Sequence, residues 1–367
     1  MFKFLHLADL HLGACFDMLP PEKAESARGK QFAALEHAVR VAERETAQAI
    51  LIAGDLFDSP QPSATLFSRA MSILSQAPCP VFIAPGNHDY IESGSPYLTT
   101  ALPENVHVFT SDTLEPVHIG QAATVWGAAF HNQSASIPLT HHNFSRPLNL
   151  CLVHTDLKTD GGYNHYSPDQ IAQSGFSYLA AGHNHAPSGL RRAGGTVFCC
   201  PGGLCALSAR ETGPKGFLLL EAGDTIKAQF IESKAVQFAR IEIDLTPIPS
   251  DTGLQKVLIE RIPKNHDRVC ATVALVGERI YEPNLTALRR VLTQVFLDCI
   301  VTDETVPKKP LWRYLQQDDL RGAVSRRYRD LIESTESLED KEMLMLSLRY
   351  ALAAFDGDPR PEITAGK

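Results

Sequence analysis

The stretch FKFLHLADLH, residues 2–11, sets an apolar run directly before two side chains that can bind metal, Asp9 and His11. An apolar run of this length, bounded by a polar residue, predicts a buried strand. Open α/β sheets bind their ligands in the crevice outside the carboxyl ends of the strands. Asp9 and His11 are therefore expected at the edge of a sheet where ligands bind.

The same pattern returns four times along the chain. The apolar runs AILIAG, PVFIAP, LNLCLV and FSYLAA lead to Gly54-Asp55, Gly86-Asn87-His88-Asp89, His154 and Gly182-His183-Asn184-His185. Each segment is a weak signal by itself, since Asp9 alone could cap a helix and His183 alone could lie in a surface loop. Five such segments, each after an apolar run, predict that their side chains converge on one site.

The residue types suit a pair of divalent metal ions. Two metals about 3.5–4 Å apart can contact both the attacking and the leaving oxygen of an in-line displacement at phosphorus. Mixed carboxylate and imidazole ligands suit Mn²⁺, Fe²⁺ or Zn²⁺ better than Ca²⁺. Asp55 is the natural bridging ligand because an anion between two cations offsets their repulsion. Asn87 would add an oxygen ligand without adding charge.

The five segments resemble the calcineurin-like metallophosphoesterase superfamily, whose pattern is D-x-H, GD-x-x-D, GNH-[DE], a lone H and GH-x-H. They occur here as DLH, GDLFD, GNHD, the H of LVHT, and GHNH. The resemblance implies a four-layer α/β/β/α sandwich. It also implies that one metal is held by Asp9, His11, Asp55 and His185, and the other by Asp55, Asn87, His154 and His183.

The resemblance further implies a catalytic role for two residues outside the ligand set. A bridging water or hydroxide would be the nucleophile, and His88 would stabilise the pentacoordinate phosphorus or protonate the leaving oxygen. Asp58 stands where the superfamily often keeps a carboxylate that orients this histidine. A simple turn residue before Ser59-Pro60 is an equally open interpretation of Asp58.

The segments between the first three predicted strands predict that these strands run parallel in one sheet. RGKQFAALEHAVRVAERE is amphipathic, and SATLFSRAMSILSQA joins Asp55 to the strand before Asn87, which gives the order β-α-β-α-β. The face of the first helix that should pack on the sheet comprises Phe32, Leu35, Val39 and Ala42. Together with the later strands, residues 1–233 are predicted to form the metallophosphoesterase domain.

Three further regions are predicted after residue 233. Residues 234–305 read as strand, helix, strand and helix without metal-binding residues at the strand ends, which favours a small α+β capping or DNA-recognition domain. Residues 306–355 read as a helical segment that packs on its own domain or docks a partner. Its apolar stripe comprises Leu344, Leu348, Ala351 and Phe355. Residues 356–367 are predicted to be a disordered tail.

Three features resemble one branch of the superfamily, the SbcD-type DNA repair nucleases, with YhaO-like exonucleases as the nearest sub-branch. They are the start FLHLADLHLG followed by AILIAGDLFDSPQPS, the stretch CPGGLCALSARETGPKGFLLLE, and the small domain after about residue 235. The resemblance implies a Mn²⁺-dependent exonuclease that acts on DNA, with endonuclease activity and homodimerisation left open. Gly203 departs from the serine usual in this branch.

Partners and alternatives remain open at the level of sequence. An SbcC-like coiled-coil ATPase is the partner implied by the branch, although the C-terminal region has no obvious match to the usual docking element. A small-molecule or cyclic-nucleotide phosphodiesterase would use the same five segments. A DNA-binding scaffold without activity is the third class, and the complete ligand set argues against it.

The charge distribution and the candidate substrate contacts neither favour nor exclude nucleic-acid binding as a whole. The net charge of −8 argues against a chain that coats nucleic acid non-specifically. Residues 306–330, with seven Lys and Arg against three Asp, could meet phosphates or be a solvated helix face. Arg191 and Arg192 could contact flanking phosphates or lie in an exposed hairpin. Four tyrosines could stack on bases or wall the pocket: Tyr90, Tyr97, Tyr163 and Tyr166.

The cysteines indicate a reducing cytoplasm. Eight are scattered along the chain, and five in or beside strand-like runs read as buried free thiols: Cys15, Cys79, Cys151, Cys199 and Cys200. No apolar stretch reaches the roughly 18 residues of a membrane span. Metal-binding residues by position 9 also argue against a cleavable signal peptide.

Overall fold

The computed structural model describes residues 1–139, 144–157 and 163–357. The helices in these ranges are α1 (Pro21–Arg44), α2 (Ala64–Leu74), α3 (Pro96–Thr99), α4 (Pro168–Ser174), α5 (Asp251–Arg261), α6 (Leu285–Val295), α7 (Leu320–Ser334) and α8 (Leu338–Phe355).

The strands in the same ranges are β1 (Phe2–Leu7), β2 (Ala49–Ile52), β3 (Val81–Ile83), β4 (Val106–Val108), β5 (Glu115–Ile119), β6 (Ala123–Gly127), β7 (Leu148–Val153), β8 (Tyr178–Ala181), β9 (Arg191–Ala193), β10 (Thr196–Cys199), β11 (Gly216–Ala222), β12 (Ile226–Glu232), β13 (Gln237–Asp244), β14 (Val269–Val276), β15 (Glu278–Arg279), β16 (Asp298–Asp303) and β17 (Val306–Pro307).

The first large sheet has the strand order β12-β11-β1-β2-β3-β4, and its last four strands run parallel. Helices α1 and α2 connect β1 to β2 and β2 to β3, so the predicted β-α-β-α-β start is confirmed. Leu7 pairs with Ile52, and Ile52 pairs with Ile83. Because these three residues end their strands in register, the segments that follow them start at the same edge.

The second large sheet has the order β5-β6-β7-β8-β10-β9. Its central strands β6, β7, β8 and β10 are parallel. Val153 at the end of β7 pairs with Ala181 at the end of β8. The segments that contain His154 and His183 therefore also leave their sheet at one level.

Apolar side chains stack the two sheets face to face. Phe4, Leu51 and Phe82 of the first sheet share a buried cluster with Leu150 and Leu152 of the second. Outside the first sheet, α1 and α2 cover a second cluster that includes the predicted helix-face residues Phe32, Leu35, Val39 and Ala42. Outside the second sheet, Ile171 of α4 packs with Trp126 and Phe176. The predicted α/β/β/α sandwich is confirmed.

The strand, helix, strand and helix predicted after residue 234 are present as β13, α5, β14 and α6, and β13, β14 and β16 form a three-stranded sheet. The described chain divides into two compact units. One comprises Met1–Ile243, Lys256–Ala274 and Asn284–Asp303, and the other comprises Asp244–Gln255, Leu275–Pro283 and the chain from Glu304 onward. The domain limits at 233 and 305 stay a prediction.

The predicted C-terminal helices are α7 and α8, but the stripe on α8 differs in part from the prediction. Leu348 and Leu352 are fully buried, whereas Phe355 is 36% exposed. Phe355 ends the helix, so less of the surrounding chain can cover it. None of the helices in the described ranges is long and apolar enough to cross a membrane. Residues 358–367 of the predicted tail lie outside the described residues.

The cysteine prediction is correct for four of its five residues. Cys79, Cys151, Cys199 and Cys200 are buried free thiols, but Cys15 is exposed. The prediction for Cys15 was wrong because this residue lies in the loop between β1 and α1 and not in the strand-like run before it.

Candidate metal centre

The side chains predicted to bind metal lie together where five strands end. Strands β1, β2 and β3 of the first sheet lead to Asp9, His11, Asp55 and Asn87. Strands β7 and β8 of the second sheet lead to His154, His183 and His185. Since the strands end in register within each sheet, stacking the sheets brings both sets of side chains to one edge of the sandwich.

The carboxylate of Asp55 lies between imidazoles from the two sheets. Its Oδ2 atom is 3.7 Å from Nε2 of His11 and 3.4 Å from Nε2 of His154. Its Oδ1 atom accepts a hydrogen bond of 2.9 Å from the backbone N–H of His88. One oxygen of Asp55 therefore faces both histidines, as a ligand shared by two cations would.

The remaining donor atoms fall into two groups on either side of Asp55. In one group, Nε2 of His11 lies 3.1 Å from Nε2 of His185. In the other, Oδ1 of Asn87 lies 2.8 Å from Nε2 of His154 and 3.1 Å from Nδ1 of His183. Asp9, His11 and His185 lie close enough to share an ion, and so do Asp9, Asp55 and His154. The donors could therefore hold divalent ions, and the assignment of each residue to one of two metals stays a prediction.

In His11, His154 and His185, Nε2 points into the site and Nδ1 contacts an oxygen atom outside it. Their Nδ1 atoms lie 2.8 Å from Asp58 Oδ1 for His11, 3.0 Å from the Ala53 carbonyl oxygen for His154, and 3.1 Å from Glu211 Oε1 for His185. When Nδ1 donates its proton to these acceptors, Nε2 keeps a free lone pair. Outer contacts of this kind are typical of histidines that bind metal.

Asp9 supplies a second observation that fits a metal. Its Oδ1 accepts a hydrogen bond of 2.8 Å from the backbone N–H of His183. Its Oδ2 is buried and has no hydrogen-bond partner among the described residues. Buried carboxylate oxygens are nearly always paired, so an oxygen left free in this cluster fits coordination to a cation.

The backbone of the site is strained at several of the predicted ligands. Four predicted ligands adopt left-handed conformations, with φ of 51° at Asp9, 46° at His11, 51° at Asp55 and 80° at His183. Such conformations are uncommon outside glycine and persist only where the surrounding structure holds them. Gly182 permits the close approach of the two sheets, because a Cβ atom there would lie 1.8 Å from the Ala53 carbonyl oxygen.

Asp89 connects the loop that follows β2 to the loop that follows β3 through hydrogen bonds. Its fully buried carboxylate accepts hydrogen bonds from the backbone N–H groups of Asp55, Leu56 and Gly86 and from the Tyr97 hydroxyl. Burial, reinforced by the nearby charge of Asp55, raises the pKa of Asp89. No role for Asp89 was predicted from the sequence, although it belongs to the GNHD segment, because the N–H groups of Asp55 and Leu56 that it binds lie 34 and 33 positions away.

His88 and Asp58 lie at the mouth of the site. Nδ1 of His88 is 3.4 Å from Oδ1 of Asp58, and this carboxylate is closer to His11, at 2.8 Å. The hydrogen bond to Asp58 raises the pKa of His88 to about 9, against the opposing effect of burial. Both residues line a cavity of about 300 Å³ together with Asn87, Tyr90 and Tyr163.

The predicted substrate-binding residues lie in different places. Tyr90 lines the cavity beside His88. Arg191 and Arg192 are exposed on β9, the edge strand of the second sheet, and the Arg191 guanidinium lies 5.2 Å from the centre of the Phe198 ring. The two arginines therefore lie in an exposed hairpin, which is the alternative that the sequence left open.

Two of the four tyrosines considered for base stacking are too deeply buried to contact a base. Tyr97 and Tyr166 are 5% and 4% exposed, and Tyr166 donates a hydrogen bond to the Ile137 carbonyl oxygen. That possibility was wrong for these two rings because they fill the core. Tyr163, in contrast, is 42% exposed and stacks on His183 with ring centres 4.8 Å apart.

The basic segment 306–330 is largely engaged within its own unit. Lys309 and Arg313 both pair with Asp356, at 2.9 Å each. Arg321 pairs with Asp319, and Arg326 donates to backbone carbonyl groups. These contacts reduce the positive charge that the segment can offer to a phosphate backbone.

Glu211 contacts a predicted metal ligand, although no role for it was predicted from the sequence. Its carboxylate contacts both His185 and Lys215. Although burial would raise the pKa of Glu211, the hydrogen bond to His185 and the charge of Lys215 lower it to about 2. Because 26 positions separate Glu211 from His185, no local pattern predicts this contact. The only signal for it in the sequence was the resemblance of the segment ARETGPKG to the SbcD-type branch.

A two-sheet α/β sandwich with carboxylate, amide and imidazole donors gathered at its strand ends defines a metallophosphoesterase. Residues 2–187, just over half of the chain, match the family described as calcineurin-like phosphoesterase. The chain belongs to this family and is a hydrolase.

Relatives extend the match beyond the family domain. The chain is 29% identical to the uncharacterized metallophosphoesterase YhaO of Bacillus subtilis, over 88% of its own length and 83% of the relative. It is 27% identical to the DNA double-strand break repair protein Mre11 of Aeropyrum pernix, over 70% and 68%. It is 26% identical to a subunit of the nuclease SbcCD of Bacillus subtilis, over 51% and 49%. The predicted similarity to the SbcD-type branch is confirmed.

Proposed function

We propose that this protein is a DNA repair nuclease, an exonuclease first of all, that hydrolyses phosphodiester bonds with two divalent metal ions. The observation that carries the proposal is the position of Asp55, whose Oδ2 faces histidines from both sheets. Similarity to a component of a nuclease and to a DNA repair protein supports DNA as the substrate.

In this proposal each metal has its own ligands and shares one. Asp9, His11 and His185 would hold the first ion, Asn87, His154 and His183 would hold the second, and Asp55 would contribute to both. Bound divalent ions would withdraw charge from the phosphate and lower the pKa of a water molecule. Mn²⁺ suits the mixed oxygen and nitrogen donors.

His88 is proposed as the residue that assists the leaving oxygen. The hydrogen bond to Asp58 raises the pKa of His88, which favours the protonated imidazole that can donate a proton or a hydrogen bond. Asp58, bonded to Nδ1 of His88, orients the ring so that Nε2 is the donor. Tyr90 and the exposed Arg191 and Arg192 are proposed contacts for the rest of the substrate.

The remaining assignments follow from the same similarities. An SbcC-like ATPase is a proposed partner because one relative is named as a subunit of the SbcCD nuclease. We also propose that the protein forms a homodimer. Residues 234–305 are proposed to take part in DNA recognition. Eight free cysteines fit a reducing compartment, for which we propose the cytoplasm.

The test compares the wild type with His88→Gln in Mn²⁺. The substrates are an end-labelled DNA duplex, its single strand and bis-p-nitrophenyl phosphate. We expect His88→Gln to bind Mn²⁺ normally and to lose about 10²- to 10⁴-fold in DNA cleavage, because proton transfer is removed and the ligands are not. His118→Gln is the matched control, since this exposed histidine lies on the edge strand β5, and it should keep full activity.

Other outcomes would redirect the proposal. Hydrolysis of the small diester with both DNA substrates intact would favour a small-molecule phosphodiesterase. Loss of Mn²⁺ binding in His88→Gln would show that the ligand assignment is wrong. DNA binding without cleavage in any metal, unchanged by Asp55→Ala, would favour a scaffold.

A further inference from the structure

Two residues of the segment 211–216, Glu211 and Lys215, contact His185. The two carboxylate oxygens of Glu211 have different partners: Oε1 is 3.1 Å from Nδ1 of His185, and Oε2 is 3.0 Å from Nζ of Lys215. Oε2 also accepts a weaker hydrogen bond of 3.4 Å from the backbone N–H of Leu207. Glu211 is therefore held in one orientation while it contacts the imidazole.

Lys215 contacts the backbone of the same histidine. Its side chain is only 2% exposed, and Nζ donates a hydrogen bond of 2.8 Å to the His185 carbonyl oxygen. A buried ammonium group is tolerated only when it is paired and hydrogen-bonded. Glu211 and Lys215 together thus fix His185 at its ring and at its backbone.

We propose that Glu211, supported by Lys215, is a positioning residue that holds His185 with Nε2 directed at a divalent metal ion. The inference rests on the proposed role of His185 as a ligand. A carboxylate at the far nitrogen fixes the tautomer and the ring orientation and increases the basicity of the coordinating nitrogen. His11 has Asp58 in the equivalent place, so each histidine of the close His11–His185 pair has its own carboxylate.

The test measures Mn²⁺ binding by electron paramagnetic resonance of the free ion, without a nuclease substrate. We expect Glu211→Ala to weaken one of two Mn²⁺ sites by about 10- to 100-fold, as losses of such outer contacts do. Glu211→Gln keeps a carbonyl oxygen for His185 and should lose less affinity. Glu221→Ala is the matched control, because Glu221 pairs with Lys3 at the surface and lies outside the site.

A second variant separates positioning from folding. Glu211→Ala leaves Lys215 buried without its counter-ion, so the metal-free protein should also lose stability. In the double variant Glu211→Leu/Lys215→Met, two apolar side chains should restore the urea midpoint of the metal-free protein while Mn²⁺ affinity stays low. Restoration of both stability and affinity would show a merely structural pair and overturn the inference.

His185→Ala distinguishes the failure of this inference from that of the proposed function. If His185→Ala loses one Mn²⁺ site while Glu211→Ala binds as the wild type does, the ligand assignment stands and the positioning role is wrong. If His185→Ala binds both ions normally, the ligand assignment fails and the inference fails with it.

Discussion

His6 is a buried polar residue in the apolar strand that opens the chain. Its ring lies between the two sheets, where Nδ1 accepts a hydrogen bond of 2.9 Å from the Tyr178 hydroxyl and Nε2 donates one of 3.1 Å to the Ala181 carbonyl oxygen. Burial lowers the pKa of His6 to about 3. The neutral ring therefore connects the first sheet to the second, three residues before the predicted ligand Asp9.

We expect this residue to make the fold sensitive to acid. Because the pKa is lowered on folding, His6 stabilises the native state fully above about pH 6.5, and its contribution is lost as the pH falls towards 3. Between pH 7.5 and 5 the free energy of unfolding should fall by about 2 kcal/mol through this group. His6→Gln, which keeps an acceptor and a donor, should lack this part of the pH dependence.

The measurement is urea unfolding at both pH values in the presence of EDTA. The control is His118→Gln, whose exposed side chain lies on β5. An identical pH dependence for wild type and His6→Gln would mean that His6 is protonated in the native state or does not contribute.

Among the secondary-structure elements, α4 is short and depends on its ends. The Ser167 hydroxyl accepts a hydrogen bond from the Gln170 N–H, and the Gln170 side chain accepts one from the Ser167 N–H. Pro168 follows at the first helical position, and Gly175 ends the helix with φ of 75°. Seven residues are too few for a stable isolated helix, so these caps and the burial of Ile171 hold α4 on the second sheet.

We expect Ser167→Ala to cost about 1 kcal/mol, since it leaves helix N–H groups without an acceptor. Urea unfolding of the metal-free protein would measure the change. Ser72→Ala provides the comparison, because Ser72 is exposed inside α2 and alanine there should be neutral or slightly stabilising. Equal effects of the two substitutions would show that the capping box contributes nothing.

At the scale of the whole molecule, the layered cores determine which cysteines can react. Seven of the eight free thiols are buried, and Cys15 alone is exposed. Burial raises the pKa of Cys79 and Cys199 to about 11, which leaves little of the reactive thiolate at neutral pH.

We expect a thiol reagent such as dithiobis-nitrobenzoate to label one cysteine rapidly in the native protein and all eight in denaturant. Cys15→Ser should remove the rapid phase and leave seven thiols in denaturant. Rapid native labelling of a second thiol in Cys15→Ser would indicate that one of the layers opens readily.

The order of elements and the predicted ligands follow from local sequence. Each strand is an apolar run that ends at a polar residue, and the amphipathic face of α1, with Phe32 and Leu35, requires a sheet to cover it. Such signals depend only on neighbouring residues, which is why the sandwich and the candidate ligands could be predicted from spacing and a family resemblance. Cys15 was misjudged because exposure depends on what packs nearby.

The sequence by itself determined the strands, the connecting helices and the donor atoms at the strand ends. The tertiary structure decided which groups support those donors. Asp89 gathers backbone N–H groups from two loops, Glu211 reaches His185 across 26 positions, and His6 bonds to the opposite sheet. Hydrogen bonds between distant segments depend on register and on the stacking of sheets, which no local pattern of residues encodes.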